Sequence, residues 1–496
     1  MNVMNLECFD DIKSRGLIHQ STILDIDELQ KILNGEKLTF YVGFDPTADS
    51  LHIGHLLPIF LGARLIQFGH RMIVLIGGAT GRIGDPSERN KERVELSIEF
   101  VNSNANNIQN QIFHIIKSIF LNISDNEVNG IEEDSFFIDT INGTLISDKL
   151  TWNLKFVNNK NWLDNKNYLN FLKDIGRHIN INKILSMKSI KNRLDNGLSF
   201  LEFNYVLMQA YDFLFLNEKY GCTMQIGGQD QWCNIVAGID LIRRKKFSDN
   251  FEIDDNFTSI FGFTLPLLLD VTGQKFGKTS DTKDSNFWLK SFLSESQEDR
   301  RDYIIDYFNF WRNIDDSRII QMLMMFTFLP LDEINEFRKK NADSNSIYIN
   351  NRLKEILAYE AVKIGFGRKD ADMVFAFIND ERDNFDPENL LETSSYIKNI
   401  KVNDNDLIIK MDVQLSRDLL DFEFRLSHFI YDKKLCVSVS DAKRLIASGA
   451  VDINDEIITD VFYKFKFKDH ISKKIDNYYA IKLRIGKKIF SYGIKI

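Results

Sequence analysis

The fold is decided between residues 41 and 55, which read YVGFDPTADSLHIGH. The start of this stretch belongs to an apolar run, residues 40–44, which predicts a strand ending at Pro46. An apolar pattern of helical spacing follows from about Ile53 to Phe68, and a second apolar run covers Arg71–Ile76. Buried apolar strands that alternate with helices are typical of a parallel sheet, so we predict an α/β fold.

Two histidines open the helix that follows the first strand. His52 and His55 stand three residues apart with Gly54 between them. A helix N-terminus presents unpaired backbone N–H groups and attracts anions, and a histidine there can donate to a phosphate oxygen. A chance pair of histidines and a metal site are the alternatives. No further His, Cys or acid stands at ligand spacing, which disfavours the metal.

A second basic motif lies far along the chain, at residues 275–280, which read KFGKTS. Two ammonium groups on a loop, Lys275 and Lys278, can neutralise a leaving pyrophosphate. Taken alone, this short pattern is better explained as a solvated basic loop. Taken together, the two motifs resemble the two signatures of class I aminoacyl-tRNA synthetases. That resemblance implies a Rossmann-like parallel-sheet catalytic domain.

Four blocks narrow the resemblance to the bacterial tyrosyl-tRNA synthetases. These blocks are residues 41–55, 77–87, 205–213 and 225–232. They imply a ligase that forms tyrosyl-adenylate from L-tyrosine and ATP and then transfers tyrosine to tRNA(Tyr). One alternative is a synthetase-derived RNA-binding or splicing factor without catalysis, and another is an adenylate-forming enzyme for a different amino acid. The glycines of residues 77–84 lack the spacing of a dinucleotide-binding loop, so NAD is disfavoured.

Three polar residues share one face of a long amphipathic helix predicted over residues 203–219. Tyr205, Gln209 and Asp212 fall at positions i, i+4 and i+7. Burying them among Phe, Leu and Met is costly unless a polar partner is present, and a zwitterionic amino acid would supply one. Tyr211 faces away from the trio, and we expect it to be an ordinary core residue.

The resemblance also implies a role for each candidate site residue. The residues implied to lie at the α-ammonium group are Asp85, Tyr205, Gln209 and Gln231. Those implied to bind the phenolic hydroxyl are Tyr41 and Asp212. The residues implied to contact the ATP phosphates are Thr47, His52, Lys275 and Lys278. Those implied to contact the adenosine are Gly54, His55 and Asp230. ATP enters as a substrate together with Mg²⁺, and no tightly bound protein metal is expected. A homodimer is also implied.

Composition and charge predict three domains. The formal net charge is −9, yet residues 433–496 alone carry +7, which leaves −16 for the rest. We assign residues 1–284 to the catalytic domain, 285–410 to a helical domain for the anticodon region and 420–496 to a small α+β domain. Residues 102–170 contain 16 asparagines, and we interpret them as surface loops and insertions on the catalytic domain, with some helix at residues 108–120.

The tail resembles a small RNA-binding fold first seen in a ribosomal protein. A helix with Lys443 and Arg444 on its exposed side is expected to end at Gly449, followed by a hairpin in which Asp455 takes the left-handed turn position. Residues 464–468 alternate Lys with Phe, so their lysines share one strand face. An ordinary half-buried strand is the alternative, but we favour RNA contact.

The remaining features are those of a cytoplasmic protein. Four scattered cysteines without a C-x-x-C pair predict reduced thiols rather than a disulfide framework or a zinc site. The N-terminal residues carry acids and lack the apolar segment of a secretory signal. No apolar run is long enough to span a membrane. We therefore expect no membrane partner.

Overall fold

The computed structural model describes most of the chain in two compact units, the first reaching to Phe375 and the second holding the C-terminal residues. The described residues are 7–86, 96–123, 136–139, 144–147, 154–248, 260–268, 289, 297–344, 347–379, 413–415, 423–432, 435–436, 438–454, 456–466, 473–475, 478–485 and 488–495. None of the helices within these ranges has the length and apolar character of a membrane span.

An eight-stranded sheet forms the centre of the first unit. Its strands in chain order are β1 Gln20–Ser21, β2 Thr39–Phe44, β3 Arg71–Ile76, β4 Phe136–Asp139, β5 Thr144–Ser147, β6 Leu154–Asn158, β7 Met224–Gly227 and β8 Phe261–Thr264. Their spatial order is β1-β8-β7-β2-β3-β6-β5-β4. Strands β8, β7, β2, β3 and β6 run parallel, and antiparallel pairs complete both edges. The predicted parallel sheet is confirmed.

The order of the parallel strands fixes where a ligand can bind. From β2 the chain moves outward through β3 to β6 and then returns to β7 on the other side of β2. Ligands of open α/β sheets bind outside the carboxyl ends of the strands at such a reversal. The residues that follow β2 and β7, namely 45–55 and 228–231, are therefore in position to form the site.

Helices cover the sheet and continue beyond it. In chain order they are α1 Cys8–Ser14, α2 Ile26–Asn34, α3 Leu56–Gln67, α4 Thr80–Ile83, α5 Ile98–Ile123, α6 Lys160–Leu163, α7 Tyr168–Asp174, α8 Ile181–Ser186, α9 Lys188–Leu194, α10 Phe200–Tyr220, α11 Trp232–Ser248, α12 Gln297–Arg312, α13 Ile319–Phe326, α14 Leu331–Ser344, α15 Ile347–Phe366 and α16 Arg368–Asn379. Short 3-10 turns occur at Ile53–His55 and Gln229–Gln231.

The helix predicted in the Asn-rich segment is present and longer than predicted, and a strand follows where we expected loops. The first part of the segment is the 26-residue helix α5, whose apolar side chains at helical spacing are fully buried against α3 and α15. A later part is β6, which pairs in parallel with β3 inside the main sheet. Helix α5 contains the helix that was predicted at residues 108–120. The expectation of loops was wrong for residues 102–107, where the asparagines hid the helical periodicity, and for β6.

Helix α10 carries the predicted polar trio into the core. The Ser199 hydroxyl accepts from the backbone N–H of Glu202, whose carboxylate accepts from that of Ser199, so a capping box starts the helix. Gly221, with φ of +63°, ends it in the left-handed conformation. Tyr205 and Asp212 are buried, and Tyr211 packs edge-on against Phe171 as a core residue.

Buried arginines join the helices after Gln297 to the sheet domain. Arg15, the residue directly after α1, donates to Asp11 and to the carbonyl of Leu329 at 2.8 Å each. Arg64 of α3 donates to Asp11 at 3.3 Å and to the carbonyl of Thr327. Burial lowers the pKa of Arg64 to about 9, with the charge of Arg15 acting in the same direction. The described helical region is thus part of the first compact unit, while the predicted boundaries at 284 and 410 stay predictions.

The second unit is α+β. It contains β9 Val413–Leu415, β10 Phe424–Arg425, α17 Leu426–Asp432, α18 Val439–Ala447, β11 Val451–Ile453, β12 Glu456–Ile457, β13 Lys464–Phe465, β14 Lys473–Ile475, β15 Tyr478–Ile485 and β16 Lys488–Lys495. One sheet has the order β12-β11-β15-β16-β9, with β14 also paired to β15, and β10 pairs with β13. Apolar residues of β11, β13 and β15 form a separate core with those of α17 and α18.

The helix and hairpin predicted in the tail are present. Helix α18 is followed by Gly449 with φ of +70°, and β11 and β12 form the hairpin. Asn454, with φ of +50°, adopts the left-handed conformation at the turn, which Asn tolerates well. Asp455, for which we predicted this conformation, lies outside the described residues. Lys468 also lies outside the described residues.

Candidate active site

A buried tyrosine and a buried carboxylate meet at the strand reversal. The hydroxyl of Tyr41, on β2, is buried and has no hydrogen-bond partner in the described part of the chain. Asp212, on α10, accepts from Asn159 Nδ2 at 2.9 Å and from Trp162 Nε1 at 2.7 Å. A buried hydroxyl without a partner is costly, so this position is suited to a ligand that supplies one.

The pKa values of Asp212 and Tyr41 are both raised. Burial raises the pKa of Asp212 to about 7, against the lowering effect of the Asn159 and Trp162 hydrogen bonds. Burial also raises the pKa of Tyr41 well above its usual value, and the negative charge of Asp212 adds to that effect. Tyr41 therefore keeps its proton at neutral pH and can donate it in a hydrogen bond.

A second network joins the turns after β2 and β3. Tyr205 donates to Asp45 Oδ2 at 2.8 Å, and Thr80 donates to Asp45 Oδ1 at 2.8 Å. A Cβ atom on Gly77 would lie 1.9 Å from Asp45 Oδ1, so only glycine permits this approach. The structure thus brings Tyr205 to Asp45.

The remaining residues assigned to the ammonium group form a third, continuous network. Gln209 Nε2 donates to Gln231 Oε1 at 3.0 Å, and Gln231 Nε2 donates to Asp85 Oδ2 at 2.5 Å and to Asp230 Oδ2 at 2.8 Å. Asn234 Nδ2 donates to the side-chain oxygens of Gln209 and Gln231 at 2.9 and 3.0 Å. This cluster of carboxylate and amide oxygens is suited to a cation with several N–H donors.

The two histidines are fixed against each other at the start of α3. His52 Nδ1 accepts from the backbone N–H of Gly54 at 3.0 Å, and His55 Nδ1 accepts from that of His52 at 3.1 Å. Their rings stack at a centroid distance of 3.8 Å. Burial lowers the pKa of His55 well below its usual value, and the charge of His52 adds to this. The neutral His55 ring therefore carries its proton on Nε2, as a donor.

The basic loop cannot be placed directly, because Lys275 and Lys278 lie outside the described residues. Leu289, eleven residues after Lys278, is described, and its backbone N–H donates to the carbonyl of Leu51 at 2.8 Å. The chain therefore returns from the basic motif to the residue directly before His52. Thr47 is half-buried in the loop between β2 and this point.

Comparisons with known proteins agree with this geometry. The family model described as tRNA synthetases class I (W and Y) matches residues 33–380, and that of the S4 domain matches residues 424–471. The tyrosine–tRNA ligase of Clostridium tetani is 37% identical over 458 residues, which are 92% of this chain and 93% of that protein. The tyrosine–tRNA ligase of Fusobacterium nucleatum is 35% identical over 491 residues, 98% of each chain. The chain belongs to the tyrosine–tRNA ligase family.

Solved structures of this family share the fold of the first unit. A C-terminally truncated mitochondrial tyrosyl-tRNA synthetase from Aspergillus nidulans superposes with a TM-score of 0.61 at 28% identity and covers 75% of this chain and 94% of that one. The corresponding truncated enzyme from Coccidioides posadasii gives a TM-score of 0.59 at 25% identity, covering 75% and 92%. The predicted family, fold class and ligase function are confirmed, and nothing supports the alternative of a factor without catalysis.

Several residues of the tyrosine–tRNA ligase site were missing from the sequence-based set. They are Asp45, Thr80, Asn159, Trp162 and Asn234, each of which bonds to a predicted site residue or to its direct partner. Asp45 stands inside the first motif, residues 41–55, and could have been suspected. Asn159 and Trp162 lie in the segment that we interpreted as loops, and no motif pointed to them.

The described residues of the ligase contain no cluster of three or more His, Cys, Asp or Glu side chains that could hold a metal ion.

In the second unit, the S4 match covers α18, on which Arg444 is exposed and pairs with Asp441 at 2.7 Å. Lys443 is half-buried and lies 5.6 Å from the centre of the Phe462 ring. Lys464 is exposed while Phe465 is buried, as the alternation predicted.

Proposed function

We propose that this ligase activates L-tyrosine with ATP, releases pyrophosphate and then transfers tyrosine to the 3′-terminal adenosine of tRNA(Tyr). The observation that carries the choice of tyrosine is the buried Tyr41 hydroxyl beside Asp212. A phenolic hydroxyl bound between them accepts from Tyr41 and donates to Asp212. Phenylalanine would leave both groups buried without a partner, which costs about 1–3 kcal/mol per group.

The other end of tyrosine would be held by the amide and carboxylate networks. The α-ammonium group donates to Asp85 and to side-chain oxygens of Gln209 and Gln231, and Tyr205 is placed beside it by Asp45. The amide N–H groups of Gln231 that now face Asp85 and Asp230 would be replaced by those of the ammonium. This role for Gln209 is supported by its position one turn of α10 from Tyr205.

The nucleotide would lie over the start of α3. Thr47 and His52 contact the γ-phosphate, Gly54 and His55 lie at the adenosine, and Asp230 accepts from the ribose hydroxyls. Lys275 and Lys278 neutralise the departing pyrophosphate. The tyrosine carboxylate attacks the α-phosphorus in line and needs no general base, so catalysis consists of positioning and charge stabilisation. Mg²⁺ enters as part of the substrate, bound to the ATP phosphates.

Paired substitutions test the assignment of the tyrosine pocket. Tyr41→Phe and Asp212→Ala should each lower kcat/KM for tyrosine in pyrophosphate exchange by about 10- to 100-fold, because each removes one partner of the phenol. Relative use of phenylalanine should rise. Tyr211→Phe is the matched control, since it removes a hydroxyl from a neighbouring core ring. Unchanged discrimination in both variants would exclude this pocket.

The helical region and the tail would bind tRNA. We assign the anticodon region to the helical domain, predicted over residues 285–410, and RNA contact in the tail to Lys443 and Arg444. The exposed position of Arg444 on α18 and the net charge of +7 over residues 433–496 support this.

A homodimer formed through the region from α7 to the first turn of α10 fits the exposed apolar side chains there. Leu169, Ile181, Leu194, Phe200 and Leu201 are between 46% and 67% exposed, which is unusual for apolar residues concentrated in one segment. Sedimentation equilibrium should give twice the monomer mass, and Phe200→Asp should lower it toward the monomer. A monomeric wild-type protein at micromolar concentration would contradict the dimer.

A cytoplasmic location also fits the cysteine thiols of the described chain and can be checked by cell fractionation.

A further inference from the structure

The loop that carries Thr47 and His52 is held at both ends by the same helix. At its start, Asn104 Nδ2 donates to the carbonyl of Pro46 at 3.2 Å. At its end, Gln111 Oε1 accepts from the backbone N–H of Leu51 at 2.8 Å. Asn104 and Gln111 are seven residues apart on α5, hence on one face of the helix.

Both amides are deeply buried and leave little freedom to the loop. Asn104 is 2% exposed and Gln111 is fully buried. A buried backbone N–H or carbonyl requires a partner, and here a side chain rather than a strand or helix supplies it. These two side chains therefore satisfy backbone groups at both ends of the loop.

Gln111 makes a further contact that links a third segment. Its Nε2 donates to the carbonyl of Leu289 at 3.2 Å, while the N–H of Leu289 donates to the carbonyl of Leu51 at 2.8 Å. The Gln111 side-chain amide thus accepts from the backbone of Leu51 and donates to the backbone of Leu289. Such an amide cannot be replaced by a carboxylate or an apolar group without the loss of at least one bond.

We propose that Asn104 and Gln111 are positioning residues that fix Thr47 and His52 for the activation step. They touch no substrate and act through the backbone on either side of these residues. The inference rests on the proposed roles of Thr47 and His52. It also assigns a function to α5, the Asn-rich helix.

The experiment measures tyrosine-dependent pyrophosphate exchange and, separately, tyrosine binding. Asn104→Leu and Gln111→Met keep the approximate size of the side chain and remove its hydrogen bonds. Each should lower the exchange rate at saturating substrates by about 10- to 100-fold, since small misplacements of catalytic groups have effects of this size. The tyrosine dissociation constant should change by less than about twofold.

Matched controls lie on the same helix. Asn106→Leu and Gln109→Met make the same chemical changes at exposed and half-exposed positions of α5 and should leave the exchange rate within about twofold of wild type. Gln111→Glu is the second variant should Gln111→Met fail to fold, because it keeps an acceptor for Leu51 and loses only the donor to Leu289.

A double-mutant cycle separates positioning from general loosening of the fold. If Gln111 acts through His52, Gln111→Met should reduce exchange by no more than about twofold in a His52→Ala background. An equal reduction in both backgrounds, or wild-type rates in Asn104→Leu and Gln111→Met, would overturn the inference. Absence of exchange in the wild-type protein itself would instead contradict the proposed function.

Discussion

At the scale of single residues, the orientation of His52 and His55 determines what they can do to a nucleotide. The stacked rings at 3.8 Å and the backbone donors on both Nδ1 atoms fix each imidazole. Their Nε2–H groups are then set before the reaction begins. A preorganised donor stabilises negative charge as it develops and requires no reorganisation at that moment.

We predict that His52→Ala slows tyrosyl-adenylate formation by about 10²- to 10³-fold, the usual effect of removing one preorganised donor. Tyrosine affinity should stay within about twofold, because His52 lies at the nucleotide end of the site. Single-turnover kinetics and equilibrium dialysis measure the two quantities. His19→Ala, at an exposed histidine of the same unit, is the control. A large loss of tyrosine affinity with normal turnover would contradict the assignment.

Single site residues were predictable where they stand in a recognisable block of sequence, and not otherwise. The trio on α10 follows from helical spacing, and Tyr41 and Asp212 follow from the resemblance to the family. Asn159 and Trp162 reach Asp212 from a segment some 50 residues earlier. Their contact depends on how β6 and α6 pack beside α10, which no local pattern encodes.

At the scale of elements, regular strands and helices with clear apolar patterns were predictable. Strand β3 has the predicted bounds, and α10 extends the predicted helix by one to three residues at its ends. Burial of a continuous apolar run stabilises a parallel strand wherever the run occurs.

Helix α5 shows a mixed case. Residues 108–120 were predictable as a helix, whereas the asparagines before them have low helix propensity and suggest loops. The apolar residues beside those asparagines bury enough surface for the helix to start at Ile98. Asn104 is moreover buried and bonded to the loop that carries Thr47. Composition therefore hid the first part of the helix and its contacts to the candidate site.

At the scale of the whole molecule, charge is divided between the two ends of the chain. The last 64 residues carry a net +7 although the protein carries −9 in total. A local positive charge attracts the phosphates of tRNA, and its contribution weakens as salt increases. The acidic remainder of the chain disfavours binding elsewhere.

We therefore predict that Lys443→Ala combined with Arg444→Ala reduces aminoacylation of tRNA(Tyr) and leaves pyrophosphate exchange unchanged. The loss should be about 3- to 30-fold in kcat/KM. The slope of log K for tRNA binding against log salt concentration should decrease in magnitude by about one to two. Lys13→Ala combined with Arg71→Ala, two exposed cations of the first unit, is the control. An equal loss in both steps would contradict a role confined to RNA.

The measurement that tests the central claim most directly is the exchange of labelled pyrophosphate into ATP without tRNA, with tyrosine, tryptophan or phenylalanine as the amino acid. We predict exchange with tyrosine and at most a trace with the other two, because only tyrosine satisfies both Tyr41 and Asp212. Folded protein that gives no exchange with any of the three, or equal exchange with phenylalanine, would contradict the account.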